Sequence, residues 1–136
     1  MEPRGIRNNN PLNIRKGNSW KGERPAQKDP VFEEFESIEY GFRAALVLIR
    51  NYITGKNSTY RKYETIDAIV RRWAPPIENA TENYVNFVAD GMQVSRYHKI
   101  HWSNRAEVCS LVRHMAFVEC GRWFDIEVIQ SAYDMV

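Results

Sequence analysis

The strongest constraint in this sequence is a change of period at Ser37. From there, apolar residues recur at three- and four-residue spacing: Ile38, Phe42, Leu46, Ile49 and Ile53. That spacing puts them on one face of an α-helix. Ser37 reads as its N-cap and Gly55 as its stop. Thr65 caps a second helix with Ile66, Ile69, Val70 and Trp73 inward. Pro75-Pro76 ends it, because proline cannot continue the hydrogen-bond ladder. Thr81 caps a third, with Tyr84, Val85, Val88 and Ala89 inward and Gly91 closing it. After a loop through His98 and His101, Asn104 caps a fourth, with Val108, Leu111, Val112 and Met115 inward and Gly121 at its end. Asp125 opens a fifth, carrying Ile126, Ile129 and Ala132.

The first 36 residues lack this period. Proline, glycine and the cluster Asn8-Asn9-Asn10-Pro11 punctuate them, which reads as loops. Leu12-Asn13-Ile14-Arg15 alternates apolar and polar, Lys16-Gly17-Asn18-Ser19 supplies a turn, and Val31–Phe35 reads as a second short strand. The expected class is α+β, mostly α: about five helices with a small N-terminal β-sheet. At 136 residues the chain reads as one domain, 1–136.

Charge and composition exclude several functions. A net charge of +2 is too neutral to indicate dedicated nucleic-acid binding. No apolar run approaches the ~18 residues of a membrane-spanning helix, so membrane insertion is not expected. Met1–Gly5 lacks the apolar core of a signal peptide, which points to synthesis in the cytoplasm without one. Cys109 and Cys120 fall on one helix. Eleven residues at ~1.5 Å separate them by roughly 16 Å, beyond disulfide reach. Aromatic residues make up 12% of the chain. That share hints at a ring-lined groove as well as a core.

Glu119 is the most informative residue. The stripe Val108, Leu111, Val112, Met115 continues, four residues on, at Glu119. A carboxyl on a buried face has its ionised form disfavoured, and the negative end of the helix dipole acts the same way. A carboxyl kept protonated is what a general acid for glycosidic cleavage needs. The competing reading is a glutamate turning outward from a frayed end. Asn8, Asn10, Asn13 and Arg15 carry amides and a guanidinium that can read sugar hydroxyls and N-acetyl carbonyls; turn chemistry is their alternative. In Glu33-Glu34-Phe35-Glu36, strand alternation sets Glu34 and Glu36 on one face and Glu33 with Phe35 on the other. Glu39 is either a first-turn partner of the helix dipole or a second acid, with Glu36 behind it. Trp73 and Pro75-Pro76 form a stiff corner that could pack helices or wall a groove. Asn57-Ser58-Thr59 and Asn79-Ala80-Thr81 match the glycosylation sequon, though Thr81 fits better as a cap. His98 and His101 lack a third ligand, so no metal site is expected.

Two resemblances follow. Arg4-Gly5-Ile6-Arg7-Asn8-Asn9-Asn10-Pro11-Leu12-Asn13-Ile14-Arg15, Trp20-Lys21-Gly22, Phe35–Ala44 and Arg72–Thr81 resemble a group of small phage and prophage proteins labelled as virion or structural proteins. The asparagine-rich entry, the Trp20-Lys21-Gly22 turn and the helix start from Glu36 to Arg43 are also similar to parts of lysozyme-like murein hydrolases, glucosaminidases and soluble lytic transglycosylases. In those proteins a helix ending in a catalytic Glu comes first. Here a similar helix stands at the other end of the order, finishing Glu119-Cys120-Gly121, with Cys where Ser or Asn is usual.

The second resemblance implies a circularly permuted lysozyme-like domain acting on the glycan strands of peptidoglycan. Glu119 would be the acid, with Glu39 its helper where water is the acceptor. Asn8, Asn10, Asn13 and Arg15 would orient sugar, Trp20, Tyr40 and Trp73 would stack on it, and no cofactor is implied. Delivery to the cell wall or periplasm would fall to a phage particle or secretion apparatus. A non-catalytic virion or glycan-binding module, and a small intracellular host-interaction protein, are the alternatives.

Overall fold

The structure is a computed structural model that describes residues 2–56, 61–74 and 77–136. Among the described residues, six helices carry the fold: α1 (Arg4–Arg7), α2 (Ile38–Thr54), α3 (Ile66–Trp73), α4 (Glu78–Met92), α5 (Arg105–Cys120) and α6 (Ile126–Asp134). The helix α6 packs on α2 and α5, α4 bridges α3 and α5, and α1 sits against α5. No helix among the described residues is long and apolar enough to cross a membrane.

Helix ends follow local chemistry. Ser37 accepts a hydrogen bond from the Tyr40 amide, Thr65 from Ala68 and Asn104 from Glu107. Such caps contribute about 1 kcal/mol each. Gly55 and Gly121 close α2 and α5 at φ 73° and 72°. A side chain would be strained in that left-handed region. Two expected boundaries differ. Thr81 lies inside α4 and is buried, because the helix begins after Ile77. Gly91 also lies inside α4; a Cβ there would stand 2.4 Å from the His114 ring, so glycine serves packing and Gln93 takes the cap. Pro75-Pro76 and the Asn57-Ser58-Thr59 sequon lie outside the described residues.

The expected N-terminal β-sheet is not formed, and the α+β class is corrected to all-helical. Among the described residues, only isolated antiparallel bridges occur, Arg15 with Phe32, Glu23 with Phe35 and Thr65 with Lys99. The reason lies in the asparagines. Asn9 and Asn13 adopt left-handed φ of 50° and 55°. Asparagine tolerates such values, and each one breaks an extended run. Asn10 then takes over ladder bonding with its side chain: its carbonyl accepts from the Ile14 amide at 2.9 Å, and its amide donates to Ile14 O at 2.9 Å and Glu33 O at 3.0 Å. The alternation expected for Glu33–Glu36 fails with the strand. Glu33, Glu34 and Phe35 are all buried and Glu36 is exposed.

Two glycines let this loop dock at backbone distance. A Cβ on Gly41 of α2 would lie 1.9 Å from Asn9 O, and one on Gly5 would lie 2.9 Å from Asn10 O and 3.2 Å from the Cys120 Cβ. Replacing Gly41 by Ala forces α2 off the loop. We expect a loss of about 3 kcal/mol or more in urea unfolding; an unchanged midpoint would show that this contact does not hold the loop in place.

Candidate functional site

The last turn of α5 delivers Glu119 to the asparagine loop. Asn13 Nδ2 donates to Glu119 Oε1 at 3.0 Å and to its backbone carbonyl at 3.2 Å. From the other side, the Tyr84 hydroxyl of α4 donates to Glu119 Oε2 at 3.1 Å. Burial raises the Glu119 pKa above the ordinary glutamate range, the two hydrogen bonds pull it back down, and burial prevails. The half-buried carboxyl faces a hollow of about 260 Å³ lined also by Arg4, Leu12, Asn13, Arg15, Phe32 and Trp73. Trp73 is fixed as its wall by donating Nε1 to Leu12 O at 3.1 Å.

The structure brings together Glu119, Asn13, Arg15 and Trp73. It does not bring the rest. Asn10 is 1% exposed and occupied inside its loop. Asn8 is buried and donates to Asp29 Oδ2 at 3.1 Å, in a separate hollow with Arg7, Arg24, Lys28 and Glu34. Tyr40 lies over Gly22, where a Cβ would be 2.1 Å from its ring. Trp20 packs on the core beside that turn, its amide bound to Glu23 Oε1 at 2.7 Å. Glu39 occupies the first turn of α2 and does not line the Glu119 hollow.

Tyr84, Arg4 and Phe32 are partners of the site that the sequence reading did not assign to it. For Tyr84 there was a signal: a tyrosine on a buried helix face needs a partner for its hydroxyl. Burial and the adjoining Glu119 both push that hydroxyl well above the usual tyrosine range, so Tyr84 remains a donor.

A second hollow of about 300 Å³ shares Asn13, Arg15 and Trp73 and continues to Asn18, Leu48, Tyr52 and Arg72. Because they share these three residues, we read the two hollows as one open groove with the carboxyl at one end. Each is near the lower limit of the ~300–1,000 Å³ typical of small-molecule sites. Among the described residues, no group of three or more His, Cys, Asp or Glu is placed to hold a metal ion. His98 instead pairs with Glu107 at 2.9 Å. Both cysteines are buried free thiols.

Two further acids are buried beside the loop, with opposite fates. Backbone amides of Asp29 and Lys28, with Arg24, hold the Glu34 carboxyl below its usual range. Burial and the adjacent Glu23 carboxyl push Glu33 up to about 7. A carboxyl whose pKa is raised on folding binds its proton more tightly in the native state. It therefore supports folding below about pH 4.5, and that support is lost as pH rises through about 7. Glu119, raised by burial, acts in the same direction. The urea midpoint should thus fall between about pH 4.5 and 7, and Glu33→Gln should shrink the fall. An identical slope in the variant would assign the effect elsewhere.

No protein-family model matches the chain. Over 104 residues it is 44% identical to protein P5 of Pseudoalteromonas phage PM2. The match covers 72% of this chain and 61% of that protein, so the chain spans about three fifths of its relative's length. The name of that relative states no activity. The chain is therefore similar to a phage protein, in agreement with the first of the two resemblances.

Proposed function

We propose that the chain cleaves the glycan strand of peptidoglycan between N-acetylated sugars, with Glu119 as the general acid. The observation that carries this reading is the pair of hydrogen bonds from Asn13 and Tyr84 to a half-buried carboxyl at the end of a groove. Burial favours the protonated form needed to give a proton to the leaving oxygen. As the glycosidic C–O bond breaks, Glu119 becomes a carboxylate, and the two donors stabilise that charge. The same carboxylate then takes a proton from the attacking hydroxyl, of water or of the sugar itself, as that oxygen bonds to the anomeric carbon and the N-acetyl oxygen is released.

Glu119 is the carboxyl lining the hollow, so the reading requires a scheme with one protein acid. The N-acetyl oxygen of the substrate would stabilise the anomeric carbon in place of a second carboxylate, as in substrate-assisted glycosidases. Glu39 has no part in it. Asn13 and Arg15 orient the sugar and Trp73 offers a stacking wall.

A second reading is a non-catalytic glycan-binding component of a phage particle. The similarity to a phage protein fits a phage setting and is compatible with either reading.

Zymography on purified cell wall separates the two. Glu119→Gln should reduce clearing at least ~100-fold. Equal clearing by both proteins would remove Glu119 as the acid. Saturable wall binding by the wild type, with no new reducing or anhydro ends, would establish the binding module instead. Tyr84→Phe removes one donor that lowers the Glu119 pKa, so the alkaline limb of the pH–rate profile should move to higher pH. A limb that stays in place would rule out tuning by Tyr84.

A further inference from the structure

Some arginines of this chain are held by carboxylates. Arg24, Arg71, Arg96, Arg105 and Arg122 each have a carboxylate within ion-pair distance: Glu34, Asp67, Asp67, Asp134 and Glu2 respectively. Arg4, Arg15 and Arg72 line the groove, are exposed, and have no such ion pair among the described residues. Each lies over an aromatic ring instead. Arg4 and Arg15 stand 3.8 and 5.3 Å from the centre of the same Phe32 ring, and Arg72 stands 5.3 Å from that of Tyr52.

That arrangement has a chemical meaning. A guanidinium laid over a ring is held by its face and retains its N–H fork for a planar anion. Two like charges over one ring repel each other and favour an anion from outside. The Trp73 and Tyr52 rings meet edge to face at 6.0 Å, giving the groove an apolar wall between the cations. Alternating rings and guanidiniums without ion pairs suit a chain of sugar units bearing carboxylates. A phosphodiester strand, charged at every unit, fits less well, because the Trp73 and Tyr52 rings between the cations offer an apolar face to uncharged units.

We infer that the groove from Glu119 to Arg72 binds an anionic glycan and that Arg15 and Arg72 read its carboxylates. This rests on the glycan-cleavage reading for the identity of the polymer, and adds to it what the groove recognises.

The test uses the full chain carrying Glu119→Gln, so that binding is measured without turnover. Three probes are titrated by calorimetry: N-acetylglucosamine–N-acetylmuramic acid oligomers with free lactyl carboxylates, the same oligomers after carbodiimide amidation, and neutral chitin oligomers of equal length. Affinity should fall about tenfold or more from the first probe to either of the others, and should weaken as salt rises. Adding Arg15→Gln or Arg72→Gln should shrink the difference, and both together should abolish it. Equal affinity for all three probes overturns the inference, as does tighter binding of a single-stranded oligonucleotide. Amidation of the probe alters no residue, so the result stands even where an arginine variant folds poorly. The two readings fail separately. Cleavage that ignores amidation overturns carboxylate recognition alone; carboxylate-dependent binding without cleavage by the wild type overturns the catalytic reading alone.

Discussion

The side chain of Asn10 is the interaction on which the site depends. One buried carboxamide makes three hydrogen bonds: it joins both backbone groups of Ile14 and reaches across to Glu33 O. Leaving any of these polar groups buried without a partner costs about 1–3 kcal/mol. The side chain thereby closes the loop from Asn10 to Ile14 on itself. That closure aims the Asn13 amide at Glu119 and presents Leu12 O to Trp73. The wall of the hollow and one donor to its carboxyl are both set by a residue that does not face the hollow.

The asparagine loop meets α2 and α5 because glycine lets it. Gly5 leaves room for Cys120 at the end of α5 and for the Asn10 carbonyl, and Gly41 leaves room for Asn9 O. Close packing then removes water from one side of Glu119. Desolvation of a carboxyl is expensive, and two donors offset part of that cost. The balance leaves the group raised yet hydrogen-bonded on both oxygens, so the carboxylate formed by proton loss meets its donors already in place.

What could be read from the sequence follows the range of the forces involved. Caps at Ser37, Thr65 and Asn104 and stops at Gly55 and Gly121 were legible because each is decided within one turn of chain. Thr81 misled because a good capping residue also fits inside a helix when tertiary packing buries it. Leu12–Arg15 misled because alternation ignores φ, and asparagine tolerates the left-handed values that end a strand. Glu119 was legible as the polar member of an apolar stripe. That Asn8 faces Asp29, or that the Tyr84 hydroxyl meets Glu119, depends on three-dimensional neighbours more than twenty residues away. Periodicity says that a side chain is buried, but not what it meets.

Burial and hydrogen bonding act together at Glu119. Arg4 and Arg15 line the same hollow, yet the carboxyl is governed by desolvation, which raises its pKa, and by the Asn13 and Tyr84 donors, which lower it. On the proposed reading, a bound glycan would displace more water from the carboxyl and so strengthen the influence that already prevails. The acid would thus be most firmly protonated when substrate is in place and would relax toward the carboxylate when the groove empties, a coupling that requires no moving part.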